Sequence, residues 1–267
     1  MNGFQVAGGS VTGRAHAVLG RGNQDAYAWI DEDDALVAVV CDGCSSGRHS
    51  EVGAHLGARL VAAAVARALA AGADVGRDDL WEAVRGAVLG ALRGLAGAMG
   101  GDLRRTVEEF FLFTVVGAVV GSGRTALFSV GDGLFVVNGA ATRLGPFPGN
   151  EPPYLAYGLF GAEGPRFVVR EIGPAEELES LLVGTDGAAD LADRLPLTGF
   201  WADDRCFGNP DVVRRRLTVL SRPGAVGPGL ADDATLVVVR RAVTEAATAG
   251  LAAAVTTSAG GTSCASG

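Results

Sequence analysis

Cysteine, histidine and positive charge are all scarce in this chain, and each shortage excludes something. Four cysteines among 267 residues, Cys41, Cys44, Cys206 and Cys264, are too few and too scattered for a disulfide framework. Cys41 and Cys44 have C-x-x-C spacing. Without a second C-x-x-C or a His-x-His pair, they read as small core residues rather than as half of a zinc or redox site. Basic residues number 22 against 30 acidic ones, a formal charge of −8, and they form no Lys/Arg block. Nucleic acid is therefore not an expected partner. The opening MNGFQVAGGS has neither a charged n-region nor an apolar h-region, and no apolar run approaches bilayer-spanning length. The expectation is a cytoplasmic protein with no membrane partner.

What the chain does have is a large apolar fraction, 48%, enough for a sizeable core. It also has one stretch around which the rest is organised, ALVAVVCDGCSSGRHSE at 35–51. Residues 35–40 are too few for a stable isolated helix, and continuous β-branched runs suit strands buried on both faces. Asp42 thus closes a buried strand, and Gly43 lets the backbone come close to a ligand. Taken alone, Asp-Gly is an ordinary turn signal. The pattern recurs, however, when the strand at 180–184 ends on Thr185-Asp186-Gly187.

Elsewhere, short strands are expected at Phe4–Ala7 and Ala26–Ile30, as a hairpin whose connection carries Asn23-Gln24-Asp25. Long helices are expected over Ser50–Ala71 and Asp78–Met99 from their apolar spacing. Strands follow at 111–120, 124–130 and 134–138, the last two joined as a hairpin by Gly131-Asp132-Gly133. The Gly/Pro-rich stretch 139–165 reads as a long surface excursion. Strands at 167–172 and 180–184 come next, then helices over 190–195 and 210–220, and a last strand entered through Asp232-Asp233-Ala234-Thr235. Residues 244–267 read as a disordered low-complexity tail, or a frayed helix over Glu245–Val255.

Asp25, Asp42, Asp186 and Asp232 all lie at strand ends or entrances, and Asp132 lies in a turn between strands. If those ends converge, the carboxylates are costly to hold together unless cations fill the cluster. Oxygen donors with little histidine or cysteine suit Mg(II) or Mn(II).

The ordered series N-Q-D-A (23–26), V-V-C-D-G (39–43), V-G-D-G (130–133), L-L-V-G-T-D-G (181–187) and D-D-A-T-L-V-V-V (232–239) resembles the metal-dependent protein phosphatases of type 2C, in their divergent bacterial branch. The resemblance spans roughly residues 5–241. It implies an α+β fold, a four-layer α-β-β-α sandwich of two antiparallel sheets flanked by helices, formed by a single domain over 1–243. It implies two divalent ions held by Asp25, Asp42, Asp186, Asp232 and the Gly43 carbonyl, with Asp132 at a third, weaker site. The implied activity is hydrolysis of phosphoserine and phosphothreonine in proteins by water activated between the two ions, with no protein nucleophile and with a cognate kinase as counterpart. Two departures stand out: Gln24 occupies the usual glutamate position, and the phosphate-binding arginine falls on Gly20, leaving Arg14, His16 and Arg21 as candidates for binding the substrate phosphate. The alternative is a non-catalytic relative that binds phosphoproteins or regulates a kinase. An aspartyl-phosphate enzyme built on Asp42 would require D-x-D, and Val40 stands where its first acid would be.

Overall fold

The apolar run expected to be a buried strand is β3 (Ala35–Asp42), and both of its faces are covered. Val37, Val39 and Cys41 join one hydrophobic cluster while Leu36, Ala38 and Val40 join another, so its sequence shows no polar alternation. The computed structural model describes residues 3–242 apart from 33, 34, 122, 162 and 226. The tail expected over 244–267, with its alternative helix and Cys264, lies outside the described residues.

Two five-stranded antiparallel sheets pack face to face. In one the order is β2 (Asp25–Glu32), β3, β4 (Val115–Gly121), β5 (Arg124–Val130) and β8 (Val168–Pro174). In the other it is β1 (Phe4–Val11), β10 (Ala234–Arg241), β9 (Ser180–Gly184), β6 (Gly133–Val137) and β7 (Ala140–Leu144). The layer between them is filled by Leu36, Val40, Val116, Phe135, Leu181 and Val237. Helices α2 (Ser50–Ala70) and α3 (Asp78–Met99) cover the first sheet, where Trp81 packs on Phe128 and both meet Phe167. On the second sheet α5 (Asp186–Ala192), α6 (Gly199–Ala202), α7 (Arg205–Gly208) and α8 (Val212–Leu220) bury Phe200, Val213 and Leu217 against Leu182, Leu236 and Val238. The expected α-β-β-α sandwich is the observed fold.

Several local expectations fail, mostly where pairing is long-range. The segments 4–11 and 25–32 form no hairpin. β1 pairs with β10 from the far end of the sequence, α1 (Arg14–Val18) intervenes, and Gly8 faces the Tyr27 and Trp29 rings across the sandwich. Gly131-Asp132-Gly133 is likewise not a hairpin. Both edges of β5 are already taken by β4 and β8, so the chain crosses to the other sheet, with both glycines at positive φ. The hairpin in this region is β6–β7, turned by Asn138-Gly139 with φ of 48° and 85°.

Residues 111–114 are not strand, since a π-helical turn over Val107–Phe111 follows α4 (Leu103–Thr106). The stretch 139–165 is no surface excursion. It holds β7 and buries Tyr154, Leu155, Ala156 and Leu159, while Arg85 and Arg93 of α3 donate to the carbonyls of Pro165 and Leu159. The helix expected from Asp190 begins at Asp186. Finally, α2 is long and apolar enough, by length and composition, to cross a membrane, contrary to the expectation of no such run; it packs on β2, β3 and α3.

Gly57 sets how closely α2 approaches the segment leading into β4, because a Cβ there would strike the ring of Phe113, whereas one at exposed Gly86 in α3 would meet nothing. Gly57→Ala is expected to destabilise the fold by about 1–3 kcal/mol through overpacking. Gly86→Ala is expected to stabilise it by about 0.5–1 kcal/mol through helix propensity. Denaturant unfolding of both variants checks the pair, and equal effects would contradict the close packing of α2.

Candidate functional site

Strand register gathers the acids. Asp25 opens β2, Asp42 closes β3, and the two are direct antiparallel partners. In the other sheet the end of β9 pairs through Gly184 with Leu134 near the start of β6 and with Leu236 near the start of β10. Asp132, just before β6, Asp186, just after β9, and Asp232, just before β10, therefore leave that sheet at one end. The crossing at 131–133 and the bond from Thr185 Oγ1 to Asp25 Oδ2 (2.8 Å) bring that end to the Asp25–Asp42 end of the other sheet.

The backbone around these acids is tightly fixed. Thr114 N donates to the Asp42 carbonyl at 2.8 Å, Gly43 N to the Gln24 carbonyl at 3.1 Å, and Thr185 N to the Thr235 carbonyl at 3.0 Å. Asp233, an acid the sequence patterns did not single out, holds the entrance to β10. It is 2% exposed and accepts bonds from Gly13 N (2.7 Å) and Gln24 N (2.6 Å), so it ties the segments on both sides of α1 to Asp232. The Asp232-Asp233 backbone runs between Gly13 and Gly187, where any Cβ would collide with it. Its only sequence signal was the doubled acid.

Electrostatically the cluster is self-repelling. Burial pushes the Asp25 carboxyl well up. The Thr185 hydrogen bond opposes that rise, and Asp233 and Asp186 add to it. Asp42 is raised by burial and then by Asp25, Asp186, Asp232 and Asp132 in turn. Asp186 is pushed up to about 7, first by burial and then by Asp232 and Asp132. Burial also raises Asp132, against its own backbone amide and Arg143. Asp186 Oδ1 is buried with no hydrogen-bond partner. An all-carboxylate set with an orphaned oxygen suits a hard divalent cation, so these residues fit Mg(II) or Mn(II).

The other candidates are spread around this centre. Arg21, exposed, donates from Nη1 to the Ser45 carbonyl at 2.7 Å and so reaches the loop after Asp42-Gly43. Arg14 is exposed on α1, and His16 is buried with Nδ1 2.9 Å from Asp233 Oδ2. The Gln24 amide is buried and donates to Ser50 Oγ (2.8 Å) at the start of α2. Cys41, Cys44 and Cys206 are free thiols, with Cys41 in the core beneath α2.

The family model for protein phosphatase 2C matches residues 12–218. Among solved structures, a bacterial serine phosphatase is similar with a TM-score of 0.55 at 17% identity, covering 88% of this chain and 97% of that one. Serine/threonine phosphatase Stp1 from Staphylococcus aureus is similar with a TM-score of 0.52 at 13% identity, covering 88% and 94%. A C. elegans sex determining protein has a TM-score of 0.52 at 17% identity, covering 90% of this chain and 65% of that one. At these identities the likeness is one of fold. No curated protein matches the chain.

The raised carboxyls dictate how the metal-free protein responds to pH. Asp186 moves from an ordinary 3.8 to about 7, and Asp25 and Asp42 move in the same direction. Between those limits the folded chain holds protons that the unfolded chain has released, so stability falls as pH rises. Chelator-treated protein should therefore lose melting temperature steadily from about pH 4 to about pH 7. A Tm that rose over that window would show that the acids are not crowded.

Proposed function

The chain belongs to the protein phosphatase 2C family, and from that premise we propose that it is a metal-dependent protein phosphatase acting on phosphoserine and phosphothreonine. The observation carrying this reading is the convergence of Asp25, Asp42, Asp132, Asp186 and Asp232 at one end of the sandwich, with an unpartnered oxygen on Asp186. Asp25, Asp42, Asp186, Asp232 and the Gly43 carbonyl would hold the principal ions, and Asp132 would serve a weaker third position. When bound, divalent ions supply Lewis acidity and make water nucleophilic at neutral pH.

The chain's own residues supply placement. The Asp25–Asp42 strand pair fixes one wall, and the bonds of Thr185 to Asp25 and to β10 fix the opposite one. Arg21, tethered to Ser45, is the cation proposed to meet the substrate phosphate, since it bridges to the loop that follows Gly43. The substrates proposed are phosphorylated cytoplasmic proteins, with a serine/threonine kinase as counterpart.

The test is turnover of a phosphothreonine peptide with and without Mn(II), alongside melting temperature. Mn(II) should switch turnover on and raise Tm, because an ion that binds only the folded state stabilises it. Asp42→Asn or Asp186→Asn should nearly abolish turnover, whereas Asp132→Asn should lower it by about 10- to 1,000-fold and leave tight metal binding intact. Wild-type activity in Asp42→Asn would refute the assignment. Peptide binding without turnover in the wild type would favour a non-catalytic phosphoprotein-binding relative.

A further inference from the structure

We infer a metal site of a different kind beside the acid cluster, in which His16 Nδ1, Asp232 and Asp233 together hold a transition-metal ion such as Mn(II). The inference goes beyond the proposed function and shares only Asp232 with it. His16 is 6% exposed, and its Nδ1 completes no hydrogen bond. That nitrogen lies 2.9 Å from Asp233 Oδ2 and 4.0 Å from Asp232 Oδ1, and one ligand atom from each residue lies within 4.8 Å of the other two. At the bond lengths of zinc, roughly 2.0–2.2 Å for nitrogen and oxygen, two ligands of one ion stand at most about 4.4 Å apart. The two His16 spacings fall inside that reach.

The carboxylates have capacity left for an ion. Asp233 Oδ1 accepts from Gly13 N, Asp233 Oδ2 from Gln24 N, and Asp232 Oδ1 from Asp233 N at 2.9 Å. Each oxygen keeps a second lone pair. His16 Nδ1 faces the Asp233 carboxylate without completing a hydrogen bond, and a bond to a metal would satisfy it. The arrangement also serves the architecture, because α1 already docks its backbone on the approach to β10 through Arg14 N to Leu230 O and Ala15 N to Ala231 O. An ion at His16 would fasten α1 to the strand that carries Asp232.

The donor set predicts selectivity. Imidazole suits Zn, Cu, Fe and Ni best, and Mn(II), which prefers oxygen, still accepts a nitrogen donor more readily than Mg(II), which keeps oxygen and retained water. Mn(II) should therefore fill one more site per chain than Mg(II) does.

The experiment is Mn(II) titration of the full chain followed by pulsed EPR for nitrogen coupling. The chain has three histidines, so the double variant His49→Gln/His55→Gln leaves His16 as the single imidazole. It should keep the nitrogen coupling and the full Mn(II) stoichiometry. His16→Gln should lose the coupling and one equivalent of Mn(II). Because the double variant and ¹⁵N-histidine labelling of the wild type both test the site without altering His16, misfolding of His16→Gln leaves the test intact. Bound Mn(II) with oxygen-only spectra, or coupling that disappears in the double variant, would overturn this site while leaving the proposed phosphatase standing, with His16 reduced to a strut against Asp233. Protein that bound no Mn(II) would overturn both.

Discussion

Mutual repulsion among carboxylates crowded at one end of a β sandwich is the constraint on which the rest of this structure depends. Asp42 alone feels four other acids, and burial has already raised it before any of them acts. Such a group is unfavourable in isolation. It persists because the acids hang from strands whose two faces are both committed to hydrophobic layers. Moving Asp42 away would mean sliding β3, and a one-residue slip would exchange Val37, Val39 and Cys41 with Leu36, Ala38 and Val40 between two cores. The apolar layers hold the charges where the charges would not place themselves.

The fastening between the sheets is polar and concentrated at that same end. Thr185 donates its hydroxyl to Asp25 and its amide to the Thr235 carbonyl, so a single residue joins β9, β10 and β2. Asp233 binds the Gly13 and Gln24 amides and so closes the gap across α1. These contacts are directional and buried, so they specify one arrangement. They also explain why two neighbouring acids play different parts: Asp232 is half exposed, and Asp233 is buried with both oxygens bonded to backbone amides.

How much of this was legible in the sequence depended on how local each cause was. Helices α2 and α3 were bounded within a residue, because helical spacing and the Gly-rich connection lie in the segment itself. β3, β9 and β10 were readable because residues buried on both faces leave an unbroken apolar run. The partner of β1 was not readable, since β10 lies at the other end of the chain, and neither was the sheet crossing at 131–133, whose glycines look the same in a hairpin. The Asn138-Gly139 hairpin was readable in principle but lay inside a stretch dominated by Gly and Pro. In the site, the acids stood out because each follows or precedes a strand. Thr185 and Asp233 did not, since a hydroxyl and a doubled acid carry no signal of what they bond until the sheets are assembled.

The cluster is also asymmetric. Arg143 of β7 bonds Asp190 at 2.9 Å and Asp193 at 2.6 Å around the end of α5, and its charge lowers Asp132. Asp25 and Asp42 have no such relief: every charged group acting strongly on them is another acid. The Asp132 side of the cluster is thus partly compensated by the protein, and the β2–β3 side is not. On the proposed metal assignment, ion affinity would be greatest where the protein's own compensation is least, against Asp42, and weakest against Asp132. On that assignment the strand register that pairs Asp25 with Asp42, rather than the number of acids present, would set the order.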